Sequence, residues 1–407
     1  MFDKLSKQID GYKQSVIDIQ KLLVSIPALA PESAGDGEDK KAKALMAYLK
    51  KEGFPEPENY PAPDKRVSSG ERPNLVYRIK GENSSRKIWI MSHLDVVPAG
   101  EMSLWNSEPF QLKVEGDKLI GRGVEDNHQG LVASYLAAKA FIDCKIKPKY
   151  DLCLLFVADE EVGSVYGIDY VLNNHKLFGK DDIILVPDSG EPTGAPVEVA
   201  EKSIDWLKIV TVGKQCHGSR PDLGKNAFRA ASNLVVKLND LYTEFNHRDE
   251  LFNPPISTFE PTKKEANVPN VNTIPGDDVF YVDCRVLPKY KLTDIENRVR
   301  QWADEIEKKF EVKITISHLQ RAEAAPPTPT DSPVVKALMA GIKEVYNVEP
   351  KPVGIGGGTV AALFRRNGYN AAVWAKIFES AHQPNEYALI SNQIGDAKVF
   401  AHVCVNT

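Results

Sequence analysis

The chain has little of what would make it a membrane, secreted or nucleic-acid-binding protein. Its 407 residues hold no apolar run approaching the ~20 needed to span a bilayer. The first residues, Met-Phe-Asp-Lys-Leu-Ser-Lys-Gln, carry no apolar leader segment. Cysteines number only five (Cys144, Cys153, Cys216, Cys284, Cys404), an odd and scattered set with no Cys-x-x-Cys pair. That excludes a sulfur-rich zinc finger and reads as reduced, mostly buried thiols. Basic charge is not in excess: the net charge of -5 leaves no electrostatic footprint for nucleic acid. Aromatics make up only 8%, while 42% apolar and 26% charged residues are ordinary for a globular chain and argue against disorder. The expectation is a soluble, cytoplasmic protein of two domains, since the length exceeds one typical core.

What is there is a repeated design in which an apolar strand ends in acids or histidine. Leu152 to Val157 is an unbroken apolar run, suited to a strand buried on both faces, and it switches into Asp159, Glu160 and Glu161. Alone, such a triplet reads as a solvated loop. Yet Lys87-Ile-Trp-Ile-Met91 leads to Ser92-His93-Leu94-Asp95, and Asp182-Ile-Ile-Leu-Val-Pro-Asp188 ends in another acid. A turn, Gly121-Arg-Gly-Val-Glu-Asp126, precedes a helix rich in small residues from Leu131. Helices are expected from about 3 to 25 and around 43–50. Alternating strands and helices predict an α/β fold with a mixed, mostly parallel sheet and flanking helices.

From about Ser203 the pattern changes to strand, helix, strand, strand, helix, strand: 204–212, 226–242, 256–260, 278–286, 292–310 and 312–316. That is the order of a ferredoxin-like α+β unit. The domain reading is therefore a first catalytic part over 1–202, an insertion over 203–318 and a second catalytic part over 319–407. In the last part come a helix at 332–347, the run Gly354-Ile-Gly-Gly-Gly-Thr359 expected to open a short helix, a strand at 371–376 and a terminal helix.

His93, Asp95, Asp126, Asp159, Glu160, Glu161 and Asp188, with His382 from a late loop, form an imidazole and carboxylate donor set without cysteine. Such a set suits catalytic rather than structural zinc, and its size suits two ions ~3.5–4 Å apart sharing one carboxylate.

The set His93-x-Asp95, Gly121-Arg-Gly-x-x-Asp126, Asp159-Glu-Glu161, Asp188 and His382 resembles the dinuclear-zinc amidohydrolase and exopeptidase family. That family includes acetylornithine deacetylase, succinyl-diaminopimelate desuccinylase, aminoacylase, glutamate carboxypeptidase and carnosinase-type dipeptidases. The resemblance covers nearly the whole chain, insertion included. It implies that Asp126 bridges two Zn2+ ions (Co2+ or Mn2+ could substitute), with His93 and Asp188 completing one and Glu161 and His382 the other. It further implies that Asp95 orients His93 and that Glu160 is the general base. In the insertion, which it makes a lid, His217, Asn272 and Arg285 would recognise substrate. Gly357, Gly358 and Thr359, with their backbone N–H groups, would take a free carboxylate. The implied activity is hydrolysis of an amide or peptide bond beside a free carboxylate, in a dipeptidase or similar exopeptidase. An N-acyl-amino-acid deacylase is the alternative, and an inactive binding scaffold the remote one. Small peptides or N-acyl amino acids are the implied substrates, and homodimerisation through the lid the implied assembly. One departure is His128, where the family commonly has Lys; it makes His128 a candidate extra ligand.

Overall fold

The apolar runs become strands in the computed structural model, which describes all 407 residues. In chain order these include Leu75–Ile79 (β1), Asn83–His93 (β2), Tyr150–Val157 (β3), Ile183–Gly190 (β4) and Pro196–Glu201 (β5). Ser203–Val212 (β6), Thr258–Lys264 (β7), Asp277–Val286 (β8) and Lys313–Ala322 (β9) form a second sheet. Lys351–Ile355 (β10) and Ala371–Ala375 (β11) return to the first. The helices used below are Phe2–Asp10 (α1), Lys13–Val24 (α2), Asp39–Lys51 (α3), His128–Cys144 (α4), Ile168–Asn174 (α5), Ala227–Leu238 (α6), Leu292–Phe310 (α7), Pro333–Tyr346 (α8), Ala361–Arg366 (α9) and Ile390–Asn406 (α10).

The chain divides into two units: Met1–Val199 with Thr328–Val353 and Thr359–Thr407, and Ala200–Pro327 with Gly354–Gly358. The first is built on an eight-stranded sheet in the order Glu58–Asn59, β1, β3, β2, β4, β11, β5, β10. At its centre β3, β2, β4 and β11 run parallel, while β1 and β5 pair antiparallel with their neighbours. The parallel strands can be apolar throughout because both faces are covered. On one face Trp89, Leu155, Val186 and Val373 pack with Ile168 of α5 and Phe364 of α9. On the other, α4 lies against β2 and β4 and in turn against α10. Each such buried side chain contributes about 1.5–3 kcal/mol. Close approach of α4 requires Gly130: a Cβ there would lie 2.4 Å from the carbonyl oxygen of Pro187.

The second unit follows the order β6–α6–β7–β8–α7–β9, with sheet order β7–β8–β6–β9 and every pairing antiparallel. This is the ferredoxin-like arrangement. Alternation along β6 sends Leu207 and Ile209 to the helices, where they meet Leu234, Val299 and Trp302, and leaves Trp206 outward.

Some expected boundaries move. The helix expected over 3–25 is two helices, broken at Gly11–Tyr12. The last strand of the insertion runs on from 316 to Ala322, because half-exposed His318 to Arg321 on an edge strand do not read as a strand by hydropathy. The second unit accordingly reaches Pro327 and takes in Gly354–Gly358, which patterning gave to the catalytic part. The glycine run does not lead directly into a helix: α9 begins at Ala361 and has six residues. No helix is long and apolar enough to cross a membrane.

Candidate metal centre

The four parallel strands deliver their polar residues at one edge, outside their carboxyl ends, where open α/β sheets hold their sites. β2 ends on His93, β3 runs into Glu160 and Glu161, β4 carries Asp188, and the loop after β11 brings His382. Asp126 comes from the turn before α4.

Two donor groups result, and Asp126 belongs to both. His93 Nε2 lies 3.0 Å from Asp126 Oδ1 and 3.5 Å from Asp188 Oδ1. His382 Nε2 lies 3.2 Å from Asp126 Oδ2 and 3.0 Å from Glu161 Oε2. The two oxygens of one carboxylate thus face two different histidines. Glu160 belongs to neither group, and its Oε2 stops 3.9 Å from His93 Nε2. A space of about 30 Å3 beside Asp126 and Asp188, lined also by Asn127 and Ala381, has room for an ion or a water.

The electrostatics are those of a site built for cations. Burial pushes the carboxyls of Glu160, Glu161 and Asp188 above their ordinary values, and neighbouring acids add to each shift. Burial disfavours a charged His93, yet Asp188, Asp126 and Asp95 together raise it well above its usual value. Hydrogen bonds to Asp126 and Glu161 raise His382 to about 10. Glu161 Oε1 is buried with no hydrogen-bond partner. Five acids (Asp95, Asp126, Glu160, Glu161 and Asp188) converge on two imidazoles, so the residues present fit two divalent cations: His93, Asp126 and Asp188 for one, Asp126, Glu161 and His382 for the other. His93 is fully buried and His382 is 55% exposed, so the second position is the one open to solvent.

Neighbours fix these donors. His93 Nδ1 lies 3.0 Å from the backbone oxygen of Asp95 and 3.4 Å from its Oδ1, so its proton is held there and Nε2 is left to the acids. The carbonyl and the carboxylate of Asp95 thus both lie on the Nδ1 side of the ring, the carbonyl nearer. The carboxylate itself accepts the backbone N–H groups of Glu160 (3.1 Å) and Glu161 (3.0 Å), anchoring the acidic turn. Asp159, at φ 67°, is the corner of that turn. Its Oδ1 lies 3.1 Å from Arg72 Nη1, and its Oδ2 accepts from Tyr166 N. Arg72 in turn binds buried Glu38 of the α3 N-terminus.

Sequence reasoning missed a reciprocal clamp. Glu125, beside Asp126 and 3% exposed, accepts the N–H groups of Phe378, Ser380 and Ala381, in the loop that presents His382. From that loop's far end, buried Glu386 accepts those of Gly123, Glu125 and Asp126, and pairs with Arg122. Neither is marked in the sequence, because each acts by accepting backbone N–H groups from a segment more than 250 positions away. Asn127 was also missed; its Nδ2 donates to Asp188 Oδ1 at 2.6 Å and to Pro187 O. His128 joins neither donor group. Its Nε2 lies 3.0 Å from Nζ of buried Lys41, and burial with Lys41 alongside holds its pKa well below the ordinary value, so it is a neutral acceptor.

The remaining expected residues fall mostly in the second unit. His217 pairs with Thr273 on two short strands, and Gly218 N donates to Asn272 O at 2.6 Å, so His217 and Asn272 share one two-stranded finger. Arg285 is paired with Asp283, and its Nη1 donates to Gly356 O at 2.9 Å, which brings it to the turn carrying Gly357 and Gly358. Thr359 belongs to the first unit, where its hydroxyl lies 3.5 Å from Glu198.

A metal-dependent hydrolase is the class to which this fold and relationship belong. Residues 89–406 match the model of peptidase family M20/M25/M40, and the chain belongs to that family. It is 43% identical over 412 residues to an uncharacterized metallohydrolase of Methanococcus maripaludis, covering 95% of this chain and 98% of that one. Against the succinyl-diaminopimelate desuccinylase of Nautilia profundicola identity is 27%, over 91% of this chain and 94% of that one. The crystal structure of human carnosine dipeptidase 1 shares the fold, with a TM-score of 0.69 at 16% identity and coverage of 100% and 99%.

Proposed function

We propose that the protein is a dipeptidase or similar exopeptidase that hydrolyses an amide bond next to a free carboxylate. The observation that carries the chemistry is the pair of donor groups sharing Asp126, with Glu160 beside them and outside both. His93, Asp126 and Asp188 would hold one divalent cation, and Asp126, Glu161 and His382 the other, zinc being favoured by the N/O donors. Bound there, the cations supply Lewis acidity towards the scissile carbonyl and acidify water. Glu160 takes the proton of the attacking water as its oxygen bonds to the carbonyl carbon. It returns that proton to the nitrogen as the C–N bond breaks. Asp95 keeps Glu160 in place through its backbone N–H, and holds the Nδ1 proton of His93 away from the reacting side.

Recognition is assigned to His217, Asn272 and Arg285, with Gly357, Gly358 and Thr359 as backbone and hydroxyl donors. Arg285 spends three N–H donors on Asp283 and Gly356 of a guanidinium's five, leaving two for a substrate carboxylate. The expected homodimer is assigned to the second unit, where Phe228 and Val236 are exposed on α6.

The second reading, an N-acyl-amino-acid deacylase, is favoured by the 27% identity to a desuccinylase over most of both chains. The same centre would cut a succinyl or acetyl amide. A panel of dipeptides and N-acyl amino acids, assayed with zinc, cobalt and manganese, separates the two. Turnover of dipeptides is expected; turnover of acyl amino acids alone would reject the first reading in favour of the second.

A further inference from the structure

A second histidine–carboxylate group lies on the helix-facing side of the four-stranded sheet, in the unit that does not carry the hydrolytic donors. Asp205 on β6, Glu296 on α7 and His318 on β9 each bring a donor atom to within 4.8 Å of the others. They come from three elements and are far apart in sequence. A register shift between Trp206 and Leu207 sets His318 opposite Leu207, on the face that Asp205 also points to. Asp205 is 1% exposed. Its Oδ1 lies 2.7 Å from His318 Nδ1, and its Oδ2 is buried without any hydrogen-bond partner. A carboxylate oxygen left so is costly, and a cation beside it removes the cost.

The local charge leaves room for one. Arg321 is the nearby cation, its Nε 2.6 Å from Glu296 Oε1 and its Nη2 3.2 Å from Glu323 Oε1. Against it stand Asp205 and Glu296, so with His318 neutral these side chains carry one net negative charge, two less one. His318 and Glu296 are partly exposed, with side chains 35% and 22% accessible, which gives an ion a way in.

We propose that Asp205, Glu296 and His318 form a third cation site, for a divalent transition ion of the zinc kind, that ties α7 to the β6–β9 end of the sheet. One imidazole and two carboxylates favour zinc or cobalt over calcium or magnesium, which prefer oxygen alone. Three protein donors leave the remaining position to water. A plain His318–Asp205 hydrogen bond, completed by the Arg321–Glu296 pair, leaves Asp205 Oδ2 buried without a partner.

The test uses the full chain, stripped by chelation and titrated with zinc, with bound metal counted by equilibrium dialysis and elemental analysis. His318→Ala is expected to bind one ion fewer per chain than the wild type. Glu296→Gln is expected to weaken one ion by roughly tenfold or more and leave the others unchanged. Hydrolysis at saturating metal stays at the wild-type rate in both. Zinc stoichiometry and affinity equal to wild type in both variants overturns the site. If circular dichroism shows His318→Ala unfolded, Glu296→Gln, a change of one atom at a partly exposed position of α7, decides the matter alone.

Discussion

Glu160 and Glu161 are neighbours in sequence, and Asp95 accepts both of their N–H groups. That pins the turn so that one side chain meets His382 and the other stays unassigned to any donor group. Glu160→Gln is therefore expected to lower kcat by about 10^2–10^4 while the metal content measured on the purified protein stays the same. A fall in bound metal would instead make Glu160 a ligand. Glu125 acts at one remove. Its carboxylate accepts three N–H groups of the loop bearing His382, and an amide in its place would keep one acceptor oxygen and turn its NH2 on at least one of those donors. For Glu125→Gln, titration should show one of the two hydrolytic ions weakened by about 10–100-fold and the other retained. At this scale the sequence was most informative about residues that chemistry makes unusual. Histidines and acids at strand ends advertise themselves, whereas Glu125, Glu386 and Asn127 serve by accepting or donating ordinary hydrogen bonds. Their partners lie up to 264 positions away and are invisible until the chain is folded.

Among the elements, α4 is the one whose placement the centre depends on, since it starts two residues after Asp126 and runs beside β4 under Asp188. Gly130→Ala would force it off Pro187. We expect a loss of about 1–3 kcal/mol in unfolding free energy, read as a lower denaturant midpoint at unchanged slope. The contact between α3 and α4 gives a dependence on pH. Burial lowers Lys41 from an ordinary 10.5 to about 7, so the unfolded chain binds its proton more tightly than the folded one. The stability this group confers is fully present above about 10.5 and lost as pH falls towards 7. Lys41→Met should consequently be more stable relative to wild type at pH 7 than at pH 10, by chemical denaturation at each pH. An advantage that did not change with pH would mean that Lys41 titrates normally. Elements were legible where one physical rule dominated, as in the doubly buried β3 or the amphipathic α7. They were misread where two rules competed: β9 is an edge strand with polar residues on its accessible positions, and the glycine run ending at Thr359 reads as opening a helix that begins only at Ala361.

For the whole molecule, the parallel sheet, the ferredoxin-like unit and the family followed from pattern and motif together. The exact extent of each unit did not, because Gly354–Gly358 packs with a unit from which it is distant in sequence. Chelation is expected to lower the melting temperature, since the converging acids then repel without compensation. Zinc restored at about 100 times its dissociation constant should return about 2.7 kcal/mol per ion, read as the recovery in calorimetry. A melting temperature indifferent to chelation would reject tight cation binding in the folded state.

His382 follows Glu161 by 221 positions, and the strand that completes the pairing of β4 belongs to the same late stretch. At about 5–20 residues per second, a ribosome spends roughly 10–45 s between the two. Within that interval β4 is made and waits with one open edge for β11, and the acidic turn lacks the imidazole of His382. Strand-edge aggregation of a nascent or truncated chain is therefore expected to be greatest before β11 is available to pair with β4.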